Sequence, residues 1–106
     1  MSQEIRRLLS DLKDRFKKIY GERLRGLYLF GSYARGEEDE ESDLDIAVVL
    51  DDFSDYGAEI NRTGAVAASL SLQYGVSISK VFFREGEWMN SYTPFLINVK
   101  EEAILA

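Results

Sequence analysis

Apolar residues recur at Ile5, Leu8, Leu9, Leu12, Phe16 and Ile19, with charged residues filling most positions between them. Steps of three and four place them on one stripe, so the spacing predicts an amphipathic helix over residues 2–20. Ser2 suits its N-cap and Gly21 its C-terminal stop. The period then changes. Leu24–Phe30 reads as a strand whose buried end is Leu27-Tyr28-Leu29-Phe30, broken by Gly31. Ser32 to Arg35 can start a short helical turn, and residues 37–41 form an acidic surface loop. Leu44–Leu50 is apolar everywhere except Asp45, the pattern of a central strand.

A second helix is predicted from Tyr56 to Tyr74, with Ile60, Ala67, Leu70 and Tyr74 on one face. Gly64 inside it costs ~1 kcal/mol relative to alanine, and Gly75 ends it. Residues 76–83 read as a third strand and Glu85–Asn90 as a helical turn. Thr93-Pro94 opens a last helix, threonine as N-cap and proline at the first position, running to Lys100 or Glu102. Ala103-Ile104-Leu105 fits either a short edge strand or a frayed end. The order helix, strand, strand, helix, strand, helix predicts an α/β (α+β) fold with helices packed on a sheet. At 106 residues a single domain spanning 1–106 is expected.

Composition narrows the chemistry. With 45% hydrophobic residues the chain can bury a core. No apolar run approaches the ~20 residues of a membrane span. Arg6 and Arg7 lie inside the amphipathic stretch, so no signal-peptide pattern opens the chain and a cytoplasmic location is expected. There is no cysteine and no histidine, which removes disulfides, a thiolate nucleophile, an imidazole base and the usual zinc ligands. A metal in this chain must be held by oxygen, which points to Mg²⁺ or Mn²⁺. The formal charge is −6, with Glu37, Glu38, Asp39, Glu40, Glu41, Asp43 and Asp45 close together. Such a balance argues against direct nucleic-acid binding, whose affinity comes mainly from Lys and Arg. The basic residues between Arg6 and Arg25 read instead as a solvated helix face.

One segment carries the candidate chemistry. Gly31-Ser32-Tyr33-Ala34-Arg35-Gly36 follows the first strand, and Ser42-Asp43-Leu44-Asp45-Ile46 opens the second. Residues i and i+2 of a strand project from one face, so Asp43 and Asp45 point together. Two close carboxylates repel unless a cation lies between them, and without His or Cys that cation is most simply Mg²⁺. Gly31 lets backbone approach a phosphate. The Ser32 hydroxyl and the amides after it can donate to triphosphate oxygens. A Gly-Ser turn or an Asp-x-Asp pair is weak alone. Each placed against a strand, about a dozen residues apart, they point to a nucleotide and metal site.

These residues resemble a known family. Leu29-Phe30-Gly31-Ser32-Tyr33-Ala34-Arg35-Gly36-Glu37, followed by Ser42-Asp43-Leu44-Asp45-Ile46, is similar to the signature of the minimal nucleotidyltransferases of the DNA polymerase β-like superfamily. Tyr74-Gly75-Val76-Ser77-Ile78-Ser79 and Thr93-Pro94-Phe95-Leu96 resemble the later strand and last helix of the same proteins. The resemblance implies a nucleotidyltransferase fold, a small mixed sheet with helices packed on one face. It implies that Gly31 and Ser32 contact the triphosphate and that Asp43 and Asp45 are catalytic and ligate two Mg²⁺ ions. The implied reaction moves a nucleoside monophosphate from a nucleoside triphosphate, often ATP, onto an acceptor hydroxyl with release of pyrophosphate. Many such small proteins resemble the antitoxin half of a toxin–antitoxin pair whose partner is an all-helical HEPN-type ribonuclease, which the nucleotidyltransferase can adenylylate.

One feature departs from the family pattern. Active members usually carry a third carboxylate on a later strand, and residues 76–83 contain none. Ser79 or Ser77 is expected at that position, with Glu85, Glu87, Asp51 and Asp52 as further candidates that spacing does not place. A binding module that docks on a partner is therefore the alternative to an enzyme. Arg35 has two readings, a phosphate contact or a surface pair with Glu37 or Glu38. Lys80 is expected on a solvated edge or against a phosphate. Trp88, Phe82, Phe83 and Tyr92 are expected in the core or in a subunit contact before a base-stacking role.

Overall fold

The computed structural model describes residues 1–106. Helix α1 (Gln3–Tyr20) leads through a 3₁₀ turn at Gly21–Arg23 into β1 (Leu24–Phe30), then α2 (Ser32–Arg35) and β2 (Leu44–Leu50). Helix α3 (Tyr56–Tyr74), β3 (Ile78–Arg84), α4 (Glu85–Asn90), α5 (Pro94–Glu102) and β4 (Ile104–Leu105) follow. The caps are those expected. Ser2 accepts from the Ile5 N–H at 3.2 Å and Thr93 from the Leu96 N–H at 3.3 Å. Such side chains satisfy amide donors that the first helical turn leaves without partners.

The four strands lie in the order β3-β2-β1-β4. β1 is antiparallel to β2 and to β4, whereas β2 and β3 run parallel. The parallel pair is bridged by α3, because parallel neighbours need a long crossover. The sheet is thus mixed, and Ile104–Leu105 form a short edge strand rather than a frayed end.

Helical cover is not confined to one face. Leu8, Leu12 and Phe16 of α1 and Leu70 of α3 pack with Leu27, Leu29, Leu44, Ile46, Val48 and Leu50. Leu96 and Val99 of α5 pack on the other face with Phe30, Ala47, Val49 and Phe83, and Trp88 of α4 joins them. The reason lies in β2. Its even and odd positions are both apolar beyond Asp45, so both of its faces need cover. Fully burying one such side chain is worth about 1.5–3 kcal/mol. Trp88 stacks on Tyr28 at 4.7 Å, a packing role as expected, whereas Tyr92 is exposed.

Two polar side chains, Glu59 and Thr63, are buried between the helices and the sheet. Glu59 accepts from the Tyr20 hydroxyl at 2.7 Å and pairs with Arg62 at 3.2 Å. Burial, and then the hydrogen bond to Glu59, push the Tyr20 phenol upward. Lys80 lies on β3, an edge strand of the sheet as expected, but it is half-buried rather than solvated. It shares the α1–α3 face with Ile78 and Phe82, its ammonium donates to Thr63 Oγ1 at 2.9 Å, and burial pushes its pKa down.

Candidate active site

The antiparallel register sets Phe30, the last residue of β1, opposite Asp45. The chain turns immediately beyond it, at Gly31. Gly31 has φ +76°, and a Cβ there would run into the Asp45 carboxylate at Oδ2. Both the backbone angle and the space therefore demand glycine. The turn continues into α2, with the Arg35 N–H donating to the Gly31 carbonyl at 3.1 Å. Gly36, at φ +70°, closes that helix in the left-handed conformation. The first amides of such a turn have no acceptor within the helix.

Asp45 shares a strand face with Ala47 and Val49, so it opens on the side covered by α5. Asp43 precedes β2 by one residue. Asp45 is half-buried. Its carboxyl is pushed above the usual range, first by burial and next by the charge of Asp43, with Glu102 adding to the effect and Arg35 opposing it. A site that resists its own negative charge is one that a cation relieves. The parallel register sets Ser79 opposite Asp45. Of the two serines expected at the third-carboxylate position, Ser79 is thus the one in register.

The other acidic candidates lie elsewhere. Asp51 and Asp52 follow the opposite end of β2, where Asp51 pairs with Arg23 at 3.1 Å and Asp52 with Arg84 at 3.2 Å. Glu85 and Glu87 belong to α4 and pair with Arg25 and Arg84. A strand the length of β2 separates all four from Asp45, a distance of roughly 17–20 Å.

A carboxylate that sequence reasoning did not single out does reach the turn. Glu102, the last residue of α5, accepts from the Gly31 N–H at 2.9 Å through Oε2 and from Arg35 Nη1 at 2.7 Å through Oε1. Arg35 also donates to Glu37 at 3.1 Å. Its surface partner is thus Glu37 rather than Glu38, and its second partner lies within the site. Glu102 stands 71 residues from Gly31, and nothing local in the sequence marks it.

The donor set suits a hard divalent cation. Asp43 and Asp45 offer oxygen ligands, and the turn at Gly31 and Ser32 lies beside them. No cluster of three or more carboxylates is arranged around a single point, so a cation held here would complete its shell from other oxygens.

The model of the nucleotidyltransferase domain family matches residues 5–105. The chain belongs to that family. It is 32% identical over 82 residues to Putative protein adenylyltransferase MJ0141 of Methanocaldococcus jannaschii, covering 77% of this chain and 82% of that protein. It is 37% identical over 73 residues to Putative protein adenylyltransferase MJ0604 of the same organism, covering 69% and 67%. Among solved structures, a toxin–antitoxin with AMP-PNP is similar at a TM-score of 0.63 and 23% identity, over 89% of this chain and 68% of that one. A mutant of the toxin–antitoxin MntA-HpeT is similar at a TM-score of 0.62 and 22% identity, over 98% and 72%. At these identities the structural likeness concerns the fold.

As a nucleotidyltransferase, the chain brings its Gly-Ser turn and its carboxylate pair to adjacent strand ends on one side of the sheet. That arrangement suits phosphoryl-group chemistry, which depends on positioning and charge neutralisation more than on a covalent catalyst.

Proposed function

We propose that the chain is a magnesium-dependent adenylyltransferase that moves AMP from ATP onto a hydroxyl group of a partner protein. The observation that carries this reading is the placement of the half-buried Asp45, two residues from Asp43, directly against the Gly31 turn. Asp43 and Asp45 hold Mg²⁺. Gly31 and Ser32 hold the triphosphate, and Arg35 offsets its charge. The kinship with protein adenylyltransferases favours AMP as the transferred group and a protein as acceptor. The likeness to toxin–antitoxin structures, one with AMP-PNP, favours a toxin as that protein. A HEPN-type ribonuclease is the partner that the family signature implies.

Bound Mg²⁺ would neutralise phosphate oxygens and ease ionisation of the acceptor hydroxyl. Asp43 and Asp45 fix where that charge sits. The turn at Gly31 aligns the α-phosphorus with the incoming oxygen. The new bond forms between the acceptor oxygen and that phosphorus. The bond to the bridging oxygen breaks, pyrophosphate departs, and the hydroxyl proton passes to solvent. No strand carboxylate stands ready to take it, since Ser79 lies opposite Asp45.

Incubation with α-labelled ATP, Mg²⁺ and the protein that copurifies with the chain tests this reading. Label should appear on the copurifying protein and be lost with Asp43→Asn and with Asp45→Asn while both variants stay folded. Transfer that survives in both refutes it. Ser79 also favours a second reading, an antitoxin that acts by docking alone. Under it, inhibition of the partner persists in the Asp43→Asn/Asp45→Asn double variant.

A further inference from the structure

Glu102 stands where its charge is least welcome. It lies close enough to Asp45 for the two like charges to repel. It is held there by donors that suit an anion. One oxygen lies 2.9 Å from the Gly31 amide and the other 2.7 Å from the Arg35 guanidinium. Charge-assisted bonds of this kind are among the stronger hydrogen bonds. Two oxygens on one atom, each facing a separate N–H, reproduce how a phosphate group would engage the same pair.

The placement is built into the fold. Leu96 and Val99 anchor α5 against Phe30, Ala47, Val49 and Phe83. Two residues beyond Glu102 the chain joins the sheet, with Ile104 opposite Leu29 and Leu105 opposite Tyr28. The Ala106 N–H then donates to the Leu27 carbonyl at 2.9 Å. Glu102 is therefore tethered on both sides at a high effective concentration over the turn.

We propose that Glu102 is an internal occupant of the triphosphate site, a carboxylate that must leave Gly31 and Arg35 before nucleotide phosphates can take those donors. The inference rests on the nucleotide site proposed above. Glu102 sets the affinity of that site, because the observed dissociation constant is the intrinsic one divided by the fraction of chains whose turn is open. Occupancy nine times in ten weakens binding about tenfold. The same contacts join α2 to the end of α5, so nucleotide entry frees the segment that leads into β4.

The test compares the wild type with Glu102→Ala and Glu102→Gln by calorimetry. MgATP and magnesium tripolyphosphate are the two titrants, and the second reports the phosphate contacts without base or sugar. Glu102→Ala should bind both about three- to tenfold more tightly, although losing two hydrogen bonds lowers its melting temperature. Glu102→Gln keeps the shape and loses the charge, so it should tighten binding by less and carries the test if the alanine variant folds poorly. Unchanged or weaker binding in both variants, as expected of a structural tether or a metal ligand, overturns the proposal while wild-type binding leaves the nucleotide site standing. Absence of binding by all three proteins overturns both.

Discussion

At the scale of single residues the site turns on Gly31 and Asp45. Gly31→Ala places a side chain at φ +76° and into the Asp45 carboxylate, a strain of about 1–3 kcal/mol. Chemical denaturation should show that loss, and calorimetry should show MgATP binding abolished. Asp45 carries a pH signature. Its folded carboxyl is raised above the unfolded one, so between those two values the folded chain holds a proton that the unfolded chain has released. Stability without metal therefore falls as pH rises through that window, from about 3.9 upward, and stays lower at neutral pH. Asp45→Asn removes the effect. In chelator its melting temperature at neutral pH should exceed that of the wild type, and Mg²⁺ should raise the wild-type value while leaving the variant's unchanged. A variant that melts below the wild type in chelator contradicts the assignment of strain to this carboxylate.

At the scale of elements the register between β2 and β3 sets which residue stands opposite Asp45. Asp45 and Ser79 are direct partners in a parallel pair, so Ser79→Asp sets a third carboxylate on the face that Asp45 occupies. Label transfer from ATP should rise by about tenfold or more if a base is what the site lacks, and an unchanged rate would assign the limit elsewhere. Thr93 caps α5 through the Leu96 amide. Thr93→Ala should cost ~1 kcal/mol in denaturant unfolding.

Nearly all of these elements were legible in the sequence because their signals are local. The three- and four-residue spacing of α1, the uninterrupted apolar run of β2 and the Thr-Pro start of α5 each depend only on near neighbours. The Gly31 turn and the position of Asp45 at the start of β2 were legible for the same reason. What was not legible depends on contacts far apart in the chain. The second helical layer follows from α5 folding back on β2, Lys80 finds Thr63 across two elements, and Glu102 reaches Gly31 from 71 residues away. The residues that could have stood in for the missing carboxylate were equally open in the sequence. Only the position of Asp51, Asp52, Glu85 and Glu87 at the far end of the sheet removes them.

At the scale of the whole molecule, charge governs what can enter. The chain carries a net −6, and its acidic loop borders the turn proposed to receive a polyanion. Like charges at that distance disfavour free ATP, whereas Mg²⁺ offsets both partners. The most direct measurement is calorimetric titration of ATP into the wild type and into the Asp43→Asn/Asp45→Asn double variant, with and without Mg²⁺. A site built from the Gly31 turn and the carboxylate pair binds ATP in the wild type only with Mg²⁺ present, and the double variant loses that dependence together with the tight binding. Equal affinity in the two proteins, or binding indifferent to Mg²⁺, would contradict it.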